Sequence, residues 1–340
     1  MTTHIPAPVL RSPDHLLAAI PFLLGFRPAA SVVVIWIHSG DITLTQRVDW
    51  PEKEAALDLT HWAQAVVRAA RHVTAQGAVL VGYPPAPTSA LAGDCGGPLV
   101  SLGEGIDQTK TELLDSMLVL DDGWLRVLGE PGAGEGQLRP FDLQITADVS
   151  DDFLYSGWSF ATSREEVCAE FASVESAPSS THDEEQLLHE HFNDIDPASI
   201  EVWREDLIHR LLNCLESGTV EPEGNGLFVT GLRDIRVRDS VLWHLAQQLD
   251  PSTSLIALRT VVRALPTGHR APTATVAAIC AWLLGDGVRA SAAVDIALSE
   301  EPDYGLAQLV STALVNGLPP RMWRETMEQL TYDACRNGLN

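Results

Sequence analysis

The first 130 residues alternate between apolar runs that suit strands and apolar spacings that suit helices. Residues 31–37 read Ser-Val-Val-Val-Ile-Trp-Ile, and a continuous β-branched run of this kind is typical of a strand buried on both faces. The turn residues at 38–41 predict a hairpin with a second strand over 42–48. Residues 52–71 place apolar side chains at helical spacing, and 78–83 form another short apolar run. This alternation indicates an α/β domain.

A strong helix signal precedes the first strand. Ser12-Pro13-Asp14 combines a capping hydroxyl, a proline at the first helical position and an acid in the first turn. We therefore expect a helix that begins there and ends near Gly25. A further helix is expected within residues 99–114, after a loop rich in proline and glycine.

The next stretch of the chain is read less easily. Two apolar runs within 117–128 flank an Asp-Asp-Gly turn and predict a second hairpin. Residues 141–160 show no clear period, so whether they complete the sheet stays open. Ser163 and Glu166 form a capping box, which predicts a helix up to residue 171.

The character of the sequence changes after residue 171. Residues 172–181 are rich in serine and poor in large apolar side chains, so we expect a linker there. It would join an α/β domain over 1–171, with a mixed sheet, hairpins and flanking helices, to an all-α domain over 182–340. Apolar residues at helical spacing predict helices in the second domain over 197–218, 239–249, 252–265, 271–284, 288–299, 303–315 and 321–335.

One helix pair in the second domain resembles a tetratricopeptide repeat. Small residues stand where that repeat brings two helices into close contact, and a leucine and a proline follow them: Ala278, Gly285, Ala290, Ala297, Leu298 and Pro302. Ala274, however, stands where the repeat usually has tryptophan, and the preceding 34 residues do not repeat the pattern. An ordinary helical hairpin and a peptide-binding groove therefore both remain open.

Charge and cysteine usage exclude some classes of partner and compartment. The 340 residues include 46 acidic and 22 basic side chains, and the net charge of -24 would repel a nucleic acid backbone. Five scattered cysteines suggest reduced thiols rather than disulfides or a zinc site. The apolar stretch at 16–26 is too short to span a membrane, and the first residues do not resemble a signal peptide. We expect an acidic cytoplasmic protein that binds neither nucleic acid nor membrane.

Three motifs suggest chemistry but lack essential parts of it. Residues 93–98, around Cys95, resemble the nucleophile loop of chymotrypsin-like proteases, yet too little chain precedes them for two β-barrels. Residues 129–136 have the glycines of a phosphate loop without its Lys and Ser/Thr. The His- and Asp-rich stretch at 182–196 could attract a divalent metal, but 194–205 fails as a calcium loop. We therefore assign no catalytic residue, cofactor or metal.

The one local concentration of arginine lies directly before a predicted helix. The arginines of the mixed-charge cluster formed by Arg233, Asp234, Arg236, Arg238 and Asp239 could bind a carboxylate or a phosphate. Alternatively, Asp234 or Asp239 caps the helix, and the arginines pair with acids across the domain junction.

Several strings spread over the chain are similar to one family. They are residues 12–28 (Ser-Pro-Asp-His-Leu-Leu-Ala-Ala-Ile-Pro-Phe-Leu-Leu-Gly-Phe-Arg-Pro), 31–34, 47–49, 163–165, Arg238-Asp239 and 281–320. The chain resembles the actinobacterial family catalogued as domain of unknown function 4192. The resemblance implies an actinobacterial, cytoplasmic architecture that extends over most of the chain, and it implies no activity.

Two functions follow as expectations. The first is a non-catalytic interaction or adaptor protein that binds an unidentified protein partner through its tetratricopeptide-like helical surface. The alternative is an enzyme or small-molecule-binding protein with its site at the α/β loops near the domain junction. The candidate binding residues are Asp14, His15, Arg27, Asp49, Tyr83, Arg233, Arg236, Arg238 and Asp239.

Overall fold

A computed structural model describes residues 9–51, 58–87, 96–128, 136–173 and 197–338. Contacts divide the chain into two compact units, Met1–Arg164 and Glu165–Asn340. We call them the α/β unit and the helical unit. Among the described residues, no helix is both long and apolar enough to cross a membrane.

The α/β unit contains a five-stranded mixed sheet, as the sequence predicts. Its described elements are α1 (Pro13–Leu24), β1 (Ser31–His38), β2 (Asp41–Asp49), α2 (Leu59–Ala69), β3 (Gly77–Tyr83), α3 (Gly97–Asp107), β4 (Glu112–Leu120), β5 (Gly123–Leu128) and α4 (Leu143–Tyr155). The strand order is β2-β1-β3-β4-β5. The strands β3 and β4 are parallel and the other neighbouring pairs are antiparallel, which confirms both predicted hairpins.

Helices cover both faces of the sheet. On one face, alternate residues of the strands, such as Val34 and Leu80, pack against α2 and α3. The other face carries buried residues such as Val33 and Val81. There, α1 contacts β2 and its Asp14 accepts a hydrogen bond from Trp124 of β5. Since β2 and β5 are the two edges of the sheet, α1 crosses its whole width. The lengths agree, because the 12-residue helix is about 18 Å long and the four spacings between five strands add up to about 19 Å. We call this the α1 face.

Local chemistry explains where α1 begins and ends. The hydroxyl of Ser12 caps the first turn by accepting a hydrogen bond from the His15 backbone N–H. The helix ends at Gly25, whose φ of 77° is the left-handed conformation that glycine adopts without steric cost. The predicted helix boundaries are therefore confirmed.

Two segments of the α/β unit differ from the expectation in detail. The helix expected within 99–114 is α3, which ends at Asp107, because the chain already enters β4 at Glu112. Residues 141–160 do not complete the sheet but contain α4, which Asp142 caps through the backbone N–H groups of Gln144 and Ile145. Helix α4 packs on α1 through Phe22 and Phe153, whose stacked ring centroids lie 4.7 Å apart.

The helical unit consists of packed helices, as expected. Its described helices are α5 (Arg164–Ala169, at the division between the units), α6 (Pro197–Ser217), a 3₁₀ turn (Pro222–Gly224), α7 (Asn225–Gly231), α8 (Ile235–Gln247), α9 (Pro251–Ala264), α10 (Ala271–Leu283), α11 (Gly287–Glu300), α12 (Gly305–Val315), α13 (Pro320–Glu328) and α14 (Tyr332–Asn337). The helix expected over 321–335 is two helices, α13 and α14. The short helix α7 has no counterpart in the sequence prediction.

The helix pair that resembles a tetratricopeptide repeat is α10 and α11. The two helices pack closely, and Ala278, Ala290 and Ala297 are fully buried. All thirteen residues of α10 are buried, and the helix also contacts α9 and α12. The pair therefore forms the centre of the helical core, and α10 lines no open groove.

The division between the units falls earlier than the expected end of the α/β domain at residue 171. Phe171 is fully buried in the core of the helical unit. Glu170 accepts hydrogen bonds from Arg259 of α9 and Arg289 of α11. These long-range contacts attach residues 165–173 to the helical unit, and a local sequence pattern does not reveal them.

Candidate functional site

One end of the sheet brings together connections that leave toward opposite faces. The chain enters β1 at Ser31 after α1, which lies on the α1 face. The chain leaves the neighbouring strand β3 at Tyr83 and continues into α3, which covers the other face. In parallel α/β sheets, ligands bind in the crevice outside the carboxyl ends of adjacent strands whose connections diverge in this way. Here the carboxyl end of β3 lies beside the amino end of β1, because the two strands are antiparallel. We call this place the β1–β3 end.

Strand register aligns several polar residues at this end. Ser31 is paired with Asp49 on one side and with Tyr83 on the other. Since directly paired residues point to the same face, all three side chains lie on the α1 face. Gly82, one residue before Tyr83, is paired with Leu118 on the opposite face, so the next residue Val119 lies beside Tyr83 and its partner Trp124 extends the row to β5. The predicted site residues Asp49 and Tyr83 are thus near neighbours.

Exposure differs sharply along this row. Ser31 is fully buried, whereas the Asp49 side chain is 84% exposed. Tyr83 is partly exposed, and burial raises the pKa of its hydroxyl well above the ordinary value of 10.0. The Tyr83 hydroxyl therefore remains a neutral hydrogen-bond donor at physiological pH.

Arg47 joins the row from the next residue of β2 on the same face. One terminal nitrogen pairs with the Asp49 carboxylate, and the other donates a hydrogen bond to the Ala29 carbonyl at 3.4 Å. The guanidinium therefore lies beside the chain segment that leads into β1. In that segment, Ala30 has a φ of 42°, which is unusual for a residue with a side chain.

Asp14 and His15 serve mainly to hold α1 in place. Asp14 accepts a hydrogen bond from the indole N–H of Trp124 at 3.1 Å, and the Arg139 guanidinium lies 5.3 Å from the Trp124 ring centre. The His15 ring forms a 2.7 Å hydrogen bond with the Ser12 hydroxyl. Both predicted residues are therefore near the row, with polar groups that already have partners.

Arg27 also has a structural role in the described contacts. Its backbone N–H donates to the Ala161 carbonyl at 3.1 Å, and its guanidinium lies 5.2 Å from the centre of the Phe160 ring. These contacts attach the segment after α1 to the segment after α4.

The arginine cluster is neutralised within the helical unit. Asp234 caps α8 by accepting from the backbone N–H groups of its first turn, as the alternative interpretation expected. The ion pairs are Arg233 with Glu301, Arg236 with Glu201, Arg238 with Asp239, and Arg204 with Asp234. The acids belong to the helical unit itself, not to the other side of a domain junction. The cluster therefore offers no guanidinium without an acidic neighbour.

Several motifs considered from the sequence lie outside the described residues. These are Cys95, the His- and Asp-rich stretch 182–196 and nearly all of residues 129–136. Within the described ranges, no group of three His, Cys, Asp or Glu residues is arranged to hold a metal ion.

Ser31 and Arg47 were missed as candidate site residues. Ser31 opens a strand of otherwise apolar residues, which is a weak signal because a strand often begins with a polar residue. Their proximity follows from the register of the β1–β2 hairpin, which includes a shift between Trp36 and Ile37. The sequence predicted the hairpin but not this register, so it did not place the two side chains together.

Fold and site together define an α/β protein with an added helical unit and a candidate ligand site at one sheet end. A family model described as "Domain of unknown function (DUF4192)" matches residues 13–321. The chain belongs to this family, which confirms the resemblance found in the sequence. No match was found among the curated proteins or among the solved structures.

Proposed function

We propose that this protein binds a small polar ligand at the β1–β3 end of its sheet. The observation that carries the proposal is the divergence of two neighbouring connections to opposite faces at Ser31 and Tyr83. By analogy with the switch points of parallel sheets, connections that diverge in this way leave space for a ligand between them without any dedicated motif. The proposal concerns binding and includes no catalytic step.

The residues around the crevice support a polar ligand. Tyr83 is partly exposed as a residue and carries a neutral hydroxyl that is itself buried, while Asp49 and Arg47 supply charge at the same sheet end. A few convergent polar groups beside apolar walls are typical of small-molecule sites.

A thermal-shift screen of metabolites with Tyr83→Phe and Tyr155→Phe tests this function. A ligand that binds the folded protein raises the melting temperature. The shift should shrink in Tyr83→Phe, which removes only the crevice hydroxyl. Tyr155 is 90% exposed on α4, so Tyr155→Phe is the matched control and should respond as the wild type does. If no compound raises the melting temperature, or if the shift is the same in both variants, the proposed site is wrong.

Protein interaction through the helical unit is the second candidate. It is favoured by two large apolar side chains of α12, Leu309 and Val315, which are about 70% exposed and lie on either side of the exposed Thr312. Exposed apolar side chains on one helix face are characteristic of docking surfaces when they are contiguous. This surface is separate from the buried helix α10.

A cross-linking pull-down from the native host with Leu309→Glu and Gln308→Glu tests the second candidate. Both positions are exposed on α12, and both variants add the same charge. A specific partner should be lost with Leu309→Glu and retained with Gln308→Glu. Retention in both variants, or loss in both, would exclude an apolar contact at Leu309.

A further inference from the structure

Two buried hydrogen-bond donors at the β1–β3 end have no acceptor among the described residues. They are the hydroxyl of Ser31 and the Nε–H of Arg47. Ser31 as a whole is fully buried, and the Arg47 side chain is 15% exposed. Buried donors nearly always have a partner in folded proteins, because the loss of hydration is otherwise uncompensated. Two orphaned donors from neighbouring strands therefore need an explanation.

The two donors belong to one place in the sheet. Ser31 is paired with Asp49, and Arg47 lies two residues before Asp49 in the same strand, so both side chains are on the α1 face. The Arg47 terminal nitrogens reach the Asp49 carboxylate and the Ala29 carbonyl. Its side chain therefore extends along β2 toward the sheet end and brings Nε alongside the start of β1.

Each terminal nitrogen of Arg47 already donates to a neighbour, one to the Asp49 carboxylate and the other to the Ala29 carbonyl, which restricts what can be added. Nε is the guanidinium nitrogen that is buried and has no acceptor among the described residues, so a ligand would be accepted on its side. A ligand atom that accepts from both Nε–H and the Ser31 hydroxyl must be a hydrogen-bond acceptor of small size. Anionic oxygens make the strongest hydrogen bonds to a guanidinium.

We propose that the ligand at the β1–β3 end presents a carboxylate or phosphate oxygen to Ser31 Oγ and Arg47 Nε. This inference rests on the proposed ligand-binding function and names the chemical class of the ligand. Because Ser31 is fully buried in the free protein, binding is coupled to a shift of residues 26–30 ahead of it, which include the left-handed Ala30.

A second buried serine provides a matched control. Ser116 of β4 is also fully buried, and its hydroxyl also lacks a partner among the described residues. It is paired with Leu80, whose side chain faces α2 and α3, so Ser116 points away from the α1 face. Loss of its hydroxyl should leave anion binding at Ser31 unchanged.

The experiment uses the full-length chain with inorganic phosphate and malonate as separate probes, at constant ionic strength adjusted with sodium chloride. Binding is followed by the melting temperature and by isothermal titration. Phosphate or malonate should stabilise the wild type and Ser116→Ala to the same extent. Ser31→Ala and Arg47→Lys should each weaken the affinity by about tenfold or more, because each removes one hydrogen bond to a charged oxygen. The probe that stabilises more strongly identifies the phosphate or the carboxylate source.

The melting temperature of Ser31→Ala without any probe tests whether the Ser31 hydroxyl only stabilises the fold. Without a probe, Ser31→Ala should melt at the same temperature as the wild type or higher, because removal of an orphaned donor relieves an uncompensated desolvation. A lower melting temperature without the probe would show that Ser31 has a structural partner, such as a buried water, and would overturn the inference.

Failure of the inference can be told apart from failure of the proposed function. If neutral or cationic metabolites give a shift that depends on Tyr83 while both anions give none, the site binds a ligand of another class. If the anions stabilise Ser31→Ala as strongly as the wild type, they bind elsewhere, and the inference is wrong. If neither the anions nor any metabolite of the screen gives a shift, both proposals fail.

Discussion

Gly123 shows how one residue can be fixed by its surroundings. An ideal Cβ at this position would lie 2.2 Å from the Arg139 carbonyl oxygen and 2.9 Å from its carbon. The β5 strand and the segment around Arg139 cannot separate easily, because Trp124 and Arg139 exchange two backbone hydrogen bonds of 2.8 Å. The φ of 158° adds further strain for any residue that has a side chain.

We therefore predict that Gly123→Ala lowers the free energy of unfolding by about 2–4 kcal/mol, from steric clash and backbone strain together. Urea denaturation of the full-length chain measures the change. Gly287 at the start of α11 is the contrasting position, because a Cβ there would meet nothing within 4 Å. Gly287→Ala should be neutral or stabilising by up to about 1 kcal/mol. Equal losses in both variants would contradict this account.

Helix ends in this protein rely repeatedly on aspartate caps. Asp142, Asp234 and Asp250 each accept hydrogen bonds from two backbone N–H groups of the following turn. Asp250 also accepts from the hydroxyls of Ser252 and Thr253, and these hydrogen bonds lower its pKa to about 2. The charged carboxylate is therefore the form that stabilises α9.

Replacement of the cap should show both its size and its pH dependence. Asp250→Ala should cost about 1 kcal/mol at pH 7. Because the folded pKa of about 2 lies below the ordinary value of 3.8, the stabilisation is full above pH 3.8 and is lost as the pH falls toward 2. Denaturant unfolding at several pH values measures the difference. Asp250→Asn keeps a capping oxygen and should cost less, with a smaller pH dependence; a loss independent of pH would contradict the role of the charge.

The short helix α5 and the residues after it depend on one carboxylate. Burial alone would raise the pKa of Glu170, but hydrogen bonds and charge from Arg289 and Arg259 lower it below its ordinary value. The ion pairs are 2.6 Å long, and the Glu170 side chain is 23% exposed. This arrangement attaches the segment to α9 and α11.

Glu170→Gln should lower the free energy of unfolding by about 1.5–3 kcal/mol, because two guanidinium groups lose a charged partner. The difference from the wild type should be largest near neutral pH. It should shrink in acid as the pH falls through the lowered pKa of the wild-type carboxyl. Glu216 of α6 is exposed, so Glu216→Gln serves as the control and should change stability by less than about 0.5 kcal/mol.

The whole molecule comprises two units, and the division between them has a measurable consequence. Residues 165–173 precede the expected linker but pack into the helical unit through Phe171 and Glu170. A helical fragment that keeps them should therefore be more stable than one that follows the boundary expected from composition.

We predict that a fragment of residues 165–340 unfolds at a higher temperature than one of residues 182–340. Loss of a fully buried phenylalanine typically costs about 3–5 kcal/mol, and the ion pairs of Glu170 are lost as well. Circular dichroism melting of both fragments makes the comparison. A Phe171→Ala variant of the longer fragment should melt at a temperature close to that of the shorter fragment. Identical melting of the two fragments would assign residues 165–173 to neither core.

Much of the fold could be predicted because its signals are local. The capping group at Ser12, the β-branched run of β1 and the turns of both hairpins each act within a few residues of chain. Segment 141–160 was ambiguous because α4 has only two fully buried residues, Val149 and Phe153, so its apolar period is weak. The candidate site was predicted only in part: Asp49 and Tyr83 were recognised, while Ser31 and Arg47 were not.

The sequence by itself determined the two classes of architecture, most helix and strand positions and the acidity of the chain, because hydrophobic period, caps and turns depend on near neighbours. Only the tertiary structure decided which polar groups meet. Asp14 and Trp124 form a hydrogen bond across 110 residues of sequence, and the row from Asp49 through Ser31 to Tyr83 exists only after three strands pair. The same packing neutralised the arginine cluster and left the two donors at Ser31 and Arg47 without an acceptor among the described residues. The partner of a buried polar group depends on which distant segments are packed around it, and this is set by the fold as a whole.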